Sequence, residues 1–176
     1  MREYLEACKI IKNKYKNVIC LLVGPFDTNP SAIKEHDLKP YIEDNIIEYA
    51  GEQRDVKPYI SKCSTYILPS YHEGTPRSVL QAMAMGRSII TTDAPGCRET
   101  VIDGENGFLV PVKDIDAIVD KMEHLINNPH INKQMGEKSR IIAEEKYDVR
   151  KINQVIFETM GLAYCLNNQV ERKKII

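Results

Sequence analysis

Apolar positions follow two rhythms that alternate along the chain. Tyr4, Leu5, Cys8, Ile11 and Tyr15 recur at near-helical spacing, with charges between them, which predicts a helix over residues 2–15. VICLLV (18–23) is then unbroken apolar sequence, partly β-branched and closed by Gly24 and Pro25, as in a strand buried on both faces. Asn29, Pro30 and Ser31 open a short helix over 31–38. IIEYA (46–50), ending at Gly51, is the next strand, and 55–63 the next helix, with Asp55 as its N-cap. TYIL (65–68) is a strand; 76–85 is a helix that Gly86 closes. SIITT (88–92) and GFLV (107–110) are strands. Asp114 caps a helix to about residue 127, a further helix covers about 131–146, and 149–165 reads as helical. The tail is rich in Asn and Gln and then basic.

Short apolar strands alternating with helices predict an α/β fold: a Rossmann-like parallel sheet with helices on both faces. No internal repeat or low-complexity linker divides it, so one domain over 1–162 is expected, followed by a polar and basic tail over 163–176. Ligands of such folds sit at the carboxyl ends of the strands, which directs attention to the loops 24–28, 51–55, 69–75 and 93–98.

Composition narrows the classes of function. A chain of 176 residues, 43% hydrophobic and 28% charged, supports one sizeable core. A net charge of −1 gives no field favouring nucleic acid. No apolar run approaches the length that spans a bilayer, and the opening MREYLE carries acids where a secretory signal has its apolar core. The five cysteines form no CxxC pair and read as reduced thiols of a cytoplasmic protein. His36, His72, His124 and His130 show no metal-ligand spacing, so no metal is expected. Neither a phosphate-binding NTPase loop nor a G-x-G-x-x-G fingerprint occurs.

The chemistry concentrates in PSYHEGTPRSVLQAMAMG (69–86). Thr75 is a good N-cap and Pro76 suits the first helical position, so the helix starts abruptly at a strand end. The N–H groups of Arg77, Ser78 and Val79 then face an anion, with phosphate the usual guest. Gly74 clears room for a ligand, and Arg77 and Ser78 add side-chain contacts. Glu73 would be repelled by phosphate; it suits hydroxyls beside the phosphate, as on a sugar, or the N–H groups of its own loop. Gln81 lies about 7–8 Å along the axis from Pro76, a separation matching a long ligand such as a nucleotide sugar, though a solvated helix face fits equally. In APGCRETV (94–101), Gly96 marks a second tight turn whose N–H groups suit a sugar or phosphate. Gly24 ends the first strand, and Gly51, Glu52 and Arg54 of AGEQRD (50–55) suit a base edge. DGENG (103–107) reads as a structural turn, with Gly104 and Gly107 supplying positive φ.

EGTPRSVLQ (73–81), followed by AMAMGRSIITTDAPGCRETVIDGENGFLVP (82–111), resembles glycosyltransferase family 4, retaining enzymes of the two-domain GT-B type. The resemblance covers 1 to about 162 and is most specific over 65–115. It implies transfer of a hexose or N-acetylhexosamine from a nucleotide sugar, UDP-linked by expectation, in bacterial capsule, O-antigen or related glycan assembly. It implies that Glu73 is the catalytic-site acid touching donor-sugar hydroxyls, that N–H groups within Gly74 to Arg77 hold sugar and distal phosphate, and that the loop from Gly51 to Asp55 lies against the base. It implies no metal or other cofactor. The acceptor, a glycan or polyprenyl-linked glycan, would bind an N-terminal domain that this chain does not contain, and the basic ERKKII tail allows a peripheral membrane contact at the cytoplasmic face.

Two departures stand out. The family signature has a second glutamate separated from the first by seven residues, where this chain has Gln81. The family's first strand would lie before Met1, at the centre of a 3-2-1-4-5-6 sheet, and without it the flanking strands are left unpaired. A non-catalytic remnant with weakened nucleotide binding is therefore the alternative expectation.

Overall fold

The computed structural model describes residues 1–26, 29 and 32–161. The tail expected over 163–176 lies outside the described residues, as do Asp27 and Thr28 of the first candidate loop.

The first helical pattern becomes α1 (Arg2–Lys14), which buries Tyr4, Leu5, Ala7, Cys8 and Ile11 along one stripe. That stripe packs on α5 (Ile115–Asn127), whose Ile118, Met122 and Leu125 are buried and whose N-cap Asp114 accepts the Ala117 N–H at 2.9 Å. β3 (Thr65–Leu68), β4 (Ser88–Thr92) and β5 (Gly107–Val110) form a parallel sheet in that order. β4 is buried at every residue, and its side chains alternate between two cores. Ile90 joins the core beneath α1 and α5; Ile89 joins the core beneath α4 (Arg77–Ala84) and α6 (Pro129–Lys146). One strand feeding two layers is the expected sheet with helices on both faces. At about 1.5–3 kcal/mol per buried aliphatic side chain, these two layers are the main favourable term in the fold.

The remaining strands stand apart. β1 (Leu21–Leu22) and β2 (Glu48–Tyr49) form a second parallel sheet, and among the described residues β1 has no strand partner other than β2. The sheet is thus split between β1 and β3, as the family resemblance implied. The apolar run 18–23 is not buried on both faces: Ile19 is 66% exposed and the ladder covers only two residues. A strand buried on one edge alone meets few partners, and β2 is shortened with it; the neighbouring Ile46 and Ile47 are buried nonetheless.

Other boundaries move for local reasons. The helix expected at 31–38 is α2 (Glu35–Glu43), entered where the Asp37 carboxylate accepts the Lys34 backbone N–H at 3.1 Å. It continues through Pro40 because burying Leu38 outweighs one lost backbone bond. α3 (Lys57–Lys62) has Val56 at its N-cap; Asp55 caps it from one residue earlier by accepting the Lys57 N–H at 3.0 Å. α6 begins at Pro129, two residues before its expected start, with proline at the first helical position. After the Gly96 turn the chain forms a single 3-10 turn, Arg98–Thr100. α7 (Val149–Thr159) buries no residue and leaves Ile152, Val155, Ile156 and Met160 exposed.

Buried polar groups hold the layers in register. Asn106, fully buried, accepts the Ile102 N–H at 2.7 Å and donates to the Thr100 carbonyl at 3.2 Å, while the Ser139 hydroxyl of α6 donates to the Asn106 backbone carbonyl at 3.0 Å. Asn132 of α6 meets Ser88 and Thr65 at 2.6 and 3.0 Å, tying that helix to β3 and β4. Gly104 has positive φ as expected, but Gly107 does not: a Cβ there would stand 1.9 Å from the Ile89 carbonyl, so glycine serves close strand packing. Cys8 and Cys20 are buried and free, in line with their reading as reduced core thiols. Cys165 lies outside the described residues.

Candidate active site

α4 begins one residue later than the sequence suggests. Pro76 is its N-cap, with extended ψ of 106°, Arg77 is its first residue, and Thr75 makes no capping bond. The proline ring removes the N–H that a helical Pro76 would leave unused, while its carbonyl accepts the first helical bond, from Leu80 at 3.2 Å. The N–H groups of Arg77, Ser78 and Val79 therefore have no partner within the helix, as anticipated. The opposite end closes in a Schellman arrangement: Gly86, at φ 70°, donates to the Met83 carbonyl at 2.9 Å, and Arg87 to the Ala82 carbonyl at 3.0 Å.

The loop ahead of α4 is fastened to the loop after β4. The Glu73 N–H donates to the Pro95 carbonyl at 3.0 Å. Gly96, at φ 83°, lies so close that a Cβ would meet the Glu73 and Gly74 carbonyl oxygens at 2.1 and 2.2 Å. Gly96 thus carries a packing role beside the ligand role suggested by its turn. Thr92 donates from its hydroxyl to the Ser70 carbonyl and Thr91 to the Leu68 carbonyl at 2.8 Å, extending the same fastening down the strands. Arg98 is turned back on Asp93, its Nε 2.8 Å from the carboxylate.

Within this unit Gly74, Thr75, Arg77 and Gln81 are exposed and Glu73 half-buried, whereas Pro76 is buried. Arg77 and Gln81, four residues apart, share one face of α4. Ser78 is half-buried. Burial pushes the Tyr66 hydroxyl above the ordinary tyrosine range; Ser78 offsets part of that rise, and the nearby Glu73 carboxylate adds to it.

A second pair of loops forms at the ends of β1 and β2. The Gly24 N–H donates to the Gly51 carbonyl at 2.9 Å, and the Tyr49 hydroxyl to the Gly24 carbonyl at 2.8 Å. Phe26 lies against the Tyr49 ring, centroids 5.3 Å apart. Glu52 and Arg54 are exposed beyond them. The four candidate loops are therefore joined as two pairs, one on each side of the split sheet.

Two neighbours of the site left no mark on the local pattern. The Tyr71 hydroxyl donates to the Glu3 carboxylate of α1, and the Lys113 ammonium stands 5.5 Å from the Tyr71 ring centre. Burial works to raise the Glu3 pKa, but the Tyr71 hydrogen bond and backbone N–H outweigh it and leave it lowered. Both contacts bridge residues distant in sequence, so no spacing rule reveals them. Among the described residues, no three His, Cys, Asp or Glu side chains are grouped to hold a metal ion, and no helix is long and apolar enough to cross a membrane.

The parallel α/β frame is that of a known class of transferase domain. The model of the family described as glycosyl transferases group 1 matches residues 1–128. The chain belongs to that family. It is 34% identical over 154 residues to an uncharacterized glycosyltransferase of Haemophilus influenzae, covering 84% of this chain and 41% of that protein. It is 29% identical over 164 residues to the capsular polysaccharide biosynthesis glycosyltransferase CapM of Staphylococcus aureus, covering 93% and 42%. Its fold matches Anabaena Alr3699/HepE in complex with UDP at a TM-score of 0.81, with 22% identity over 92% of this chain and 44% of that one. The expected GT-B type of α/β fold is thereby supported, and the chain spans about two-fifths of the length of the curated relatives it matches.

Proposed function

We propose that this chain is the donor-binding part of a retaining glycosyltransferase of bacterial polysaccharide or lipid-linked glycan assembly, with a UDP-sugar as donor. The observation that carries the reading is the open start of α4, fastened through Gly96 to the loop after β4 and flanked by Glu73. A diphosphate is neutralised there by the N–H groups of Arg77, Ser78 and Val79 and by the Arg77 guanidinium, with no metal required. Glu73 accepts hydrogen bonds from the donor-sugar hydroxyls, with Gly74, Thr75 and Pro76 giving the sugar close access to the backbone. Gln81 lies toward the ribose, and Gly24, Gly51, Glu52 and Arg54 toward the base. The solved complex of a structural neighbour with UDP agrees with this donor class. The acceptor, a glycan or polyprenyl-linked glycan, is bound by a further domain, at the cytoplasmic face of the membrane, and this chain alone has no turnover.

Calorimetric titration with UDP tests the reading. Saturable heat is expected, with uridine binding far more weakly because it lacks the diphosphate. Absence of saturable heat up to about 10 mM UDP, equivalent to binding weaker than about −3 kcal/mol, would refute it. Gln81 and the split sheet favour the second reading, a remnant that keeps the fold and has weakened nucleotide binding.

A further inference from the structure

Most fastenings of the loop that carries Glu73 run to β4 and the loop after it. The Glu73 N–H donates to the Pro95 carbonyl at 3.0 Å, the Thr92 hydroxyl donates to the Ser70 carbonyl, and Gly96 packs against the Glu73 and Gly74 carbonyls. The helix that follows, α4, belongs to the layer it shares with α6. Tyr71 departs from both. Its hydroxyl donates to the Glu3 carboxylate of α1, and the ammonium of Lys113, the residue before the α5 cap Asp114, stands 5.5 Å from its ring centre. α1 and α5 form the opposite layer. One side chain thus ties the loop to the layer on the other face of the sheet.

Burial does not explain this placement. Tyr71 is 52% exposed whereas Glu3 is buried, so the ring lies at the surface with its polar end drawn inward. Holding a half-exposed side chain costs rotamer entropy that little buried area offsets. What holds it is a hydrogen bond to a carboxylate, the stronger, charge-assisted kind. The bond is made two residues from Glu73. Among the described residues the Glu73 carboxylate takes no hydrogen bond and no ion pair, so the course of its backbone sets where it points. That backbone is held from the β4 side at Glu73, from one layer through α4, and from the other layer through Tyr71. Fastenings in three directions fix a point; with only two, it swings about the line that joins them.

We propose that Tyr71 is a positioning residue for the donor sugar: its tie to Glu3 holds the backbone between Ser70 and Gly74 so that the Glu73 carboxylate meets the sugar hydroxyls. The inference rests on the donor-site reading above and adds the residue that orients its acid. Tyr71 acts through Glu73 and touches no ligand itself. In that reading the phosphates are held at the start of α4, beyond the part of the loop that Gly96 fastens. Loss of the tie therefore weakens the hold on the sugar and spares the hold on UDP. A residue that served stability alone would weaken both to the same degree, or neither.

The test measures calorimetric affinities for UDP, UDP-glucose and UDP-N-acetylglucosamine in the parent chain, Tyr71→Phe, Glu73→Gln and the double variant. Tyr71→Phe keeps the ring beside Lys113 and removes only the hydroxyl. It is expected to leave UDP affinity within about twofold and to lower affinity for at least one of the two UDP-sugars by about three- to tenfold, the size of one lost hydrogen bond. Glu73→Gln is expected to lose at least as much for the same sugar, and Tyr71→Phe to add nothing in that background, since a residue acting through Glu73 has no further effect once the carboxylate is gone. Without any nucleotide, the Glu73 amide is expected to exchange with solvent about tenfold faster in Tyr71→Phe than in the parent chain. The proposal is overturned if UDP and UDP-sugar affinities fall together, if the two losses add in the double variant, or if Glu73 exchange is unchanged. Absence of UDP binding by the parent chain refutes the donor-site reading and the proposal with it, whereas UDP binding by the parent with no sugar-specific loss in Tyr71→Phe refutes the proposal alone.

Discussion

Replacing Gly96 with alanine isolates the contact that fastens the two loops around α4. The new Cβ would meet the Glu73 and Gly74 carbonyl oxygens at 2.1 and 2.2 Å, and it would sit on a backbone with φ of 83°. The left-handed backbone costs an alanine about 1–2 kcal/mol, and overpacking adds about 1–3 kcal/mol, for a total of about 2–5 kcal/mol. Gly104 is the internal control: its φ is 78°, and a Cβ there meets nothing within 4 Å. Gly104→Ala therefore loses only the backbone part, about 1–2 kcal/mol. Guanidinium unfolding of both variants separates clash from strain. If the clash is relieved by loop movement, Glu73 and the first turn of α4 shift with it, and UDP affinity in Gly96→Ala falls by about tenfold or more. The reasoning fails if Gly96→Ala is no less stable than Gly104→Ala and binds UDP as the parent chain does.

Three further outcomes are expected. Gln81→Glu raises UDP affinity about tenfold, by about 1–2 kcal/mol, in calorimetry, and the gain disappears with 2′-deoxy-UDP; an unchanged affinity favours the remnant reading. Asn106→Leu leaves the Ile102 N–H and the Thr100 carbonyl without their buried partner and lowers unfolding free energy by about 2–4 kcal/mol, measured in urea; a loss under about 0.5 kcal/mol would contradict the network described. Because Glu3 is held below its ordinary pKa of 4.5, its contribution is present above pH 4.5 and fades as pH falls through the lower folded value. Tyr71→Phe removes a hydrogen bond that lowers it, so the stability difference from the parent chain is greatest at neutral pH and shrinks in acid; a pH-independent difference would dissociate Tyr71 from Glu3 titration.

The elements whose pattern is set by burial were legible. β4 reads as an apolar strand because both its faces are covered, and α5 carries its cap and its stripe in local sequence. The candidate loops were found from the chemistry of a helix start, and the split sheet from the family resemblance. What was not legible depended on distant partners. Pro76 reads as a first helical residue, yet its extended ψ puts it at the cap. Gly96 and Gly107 read as turn glycines, while their necessity comes from carbonyls on other strands and loops. The run 18–23 reads as doubly buried because composition records what a segment prefers, not whether its neighbour is present. Tyr71, Glu3 and Lys113 meet only through the tertiary fold.

The two ends of α4 bear on how quickly a ligand is recognised, not only on how tightly. At its far end the Gly86 carbonyl lies where a Cβ on Gly136 would stand, 2.3 Å away, and Arg140 donates to the Ala84 carbonyl. At its near end the loop is fastened through Glu73 and Pro95. A helix pinned at both ends has no slack to take up when an anion arrives. Association should then be a single kinetic phase whose rate rises linearly with ligand concentration, without the plateau that a slow rearrangement imposes.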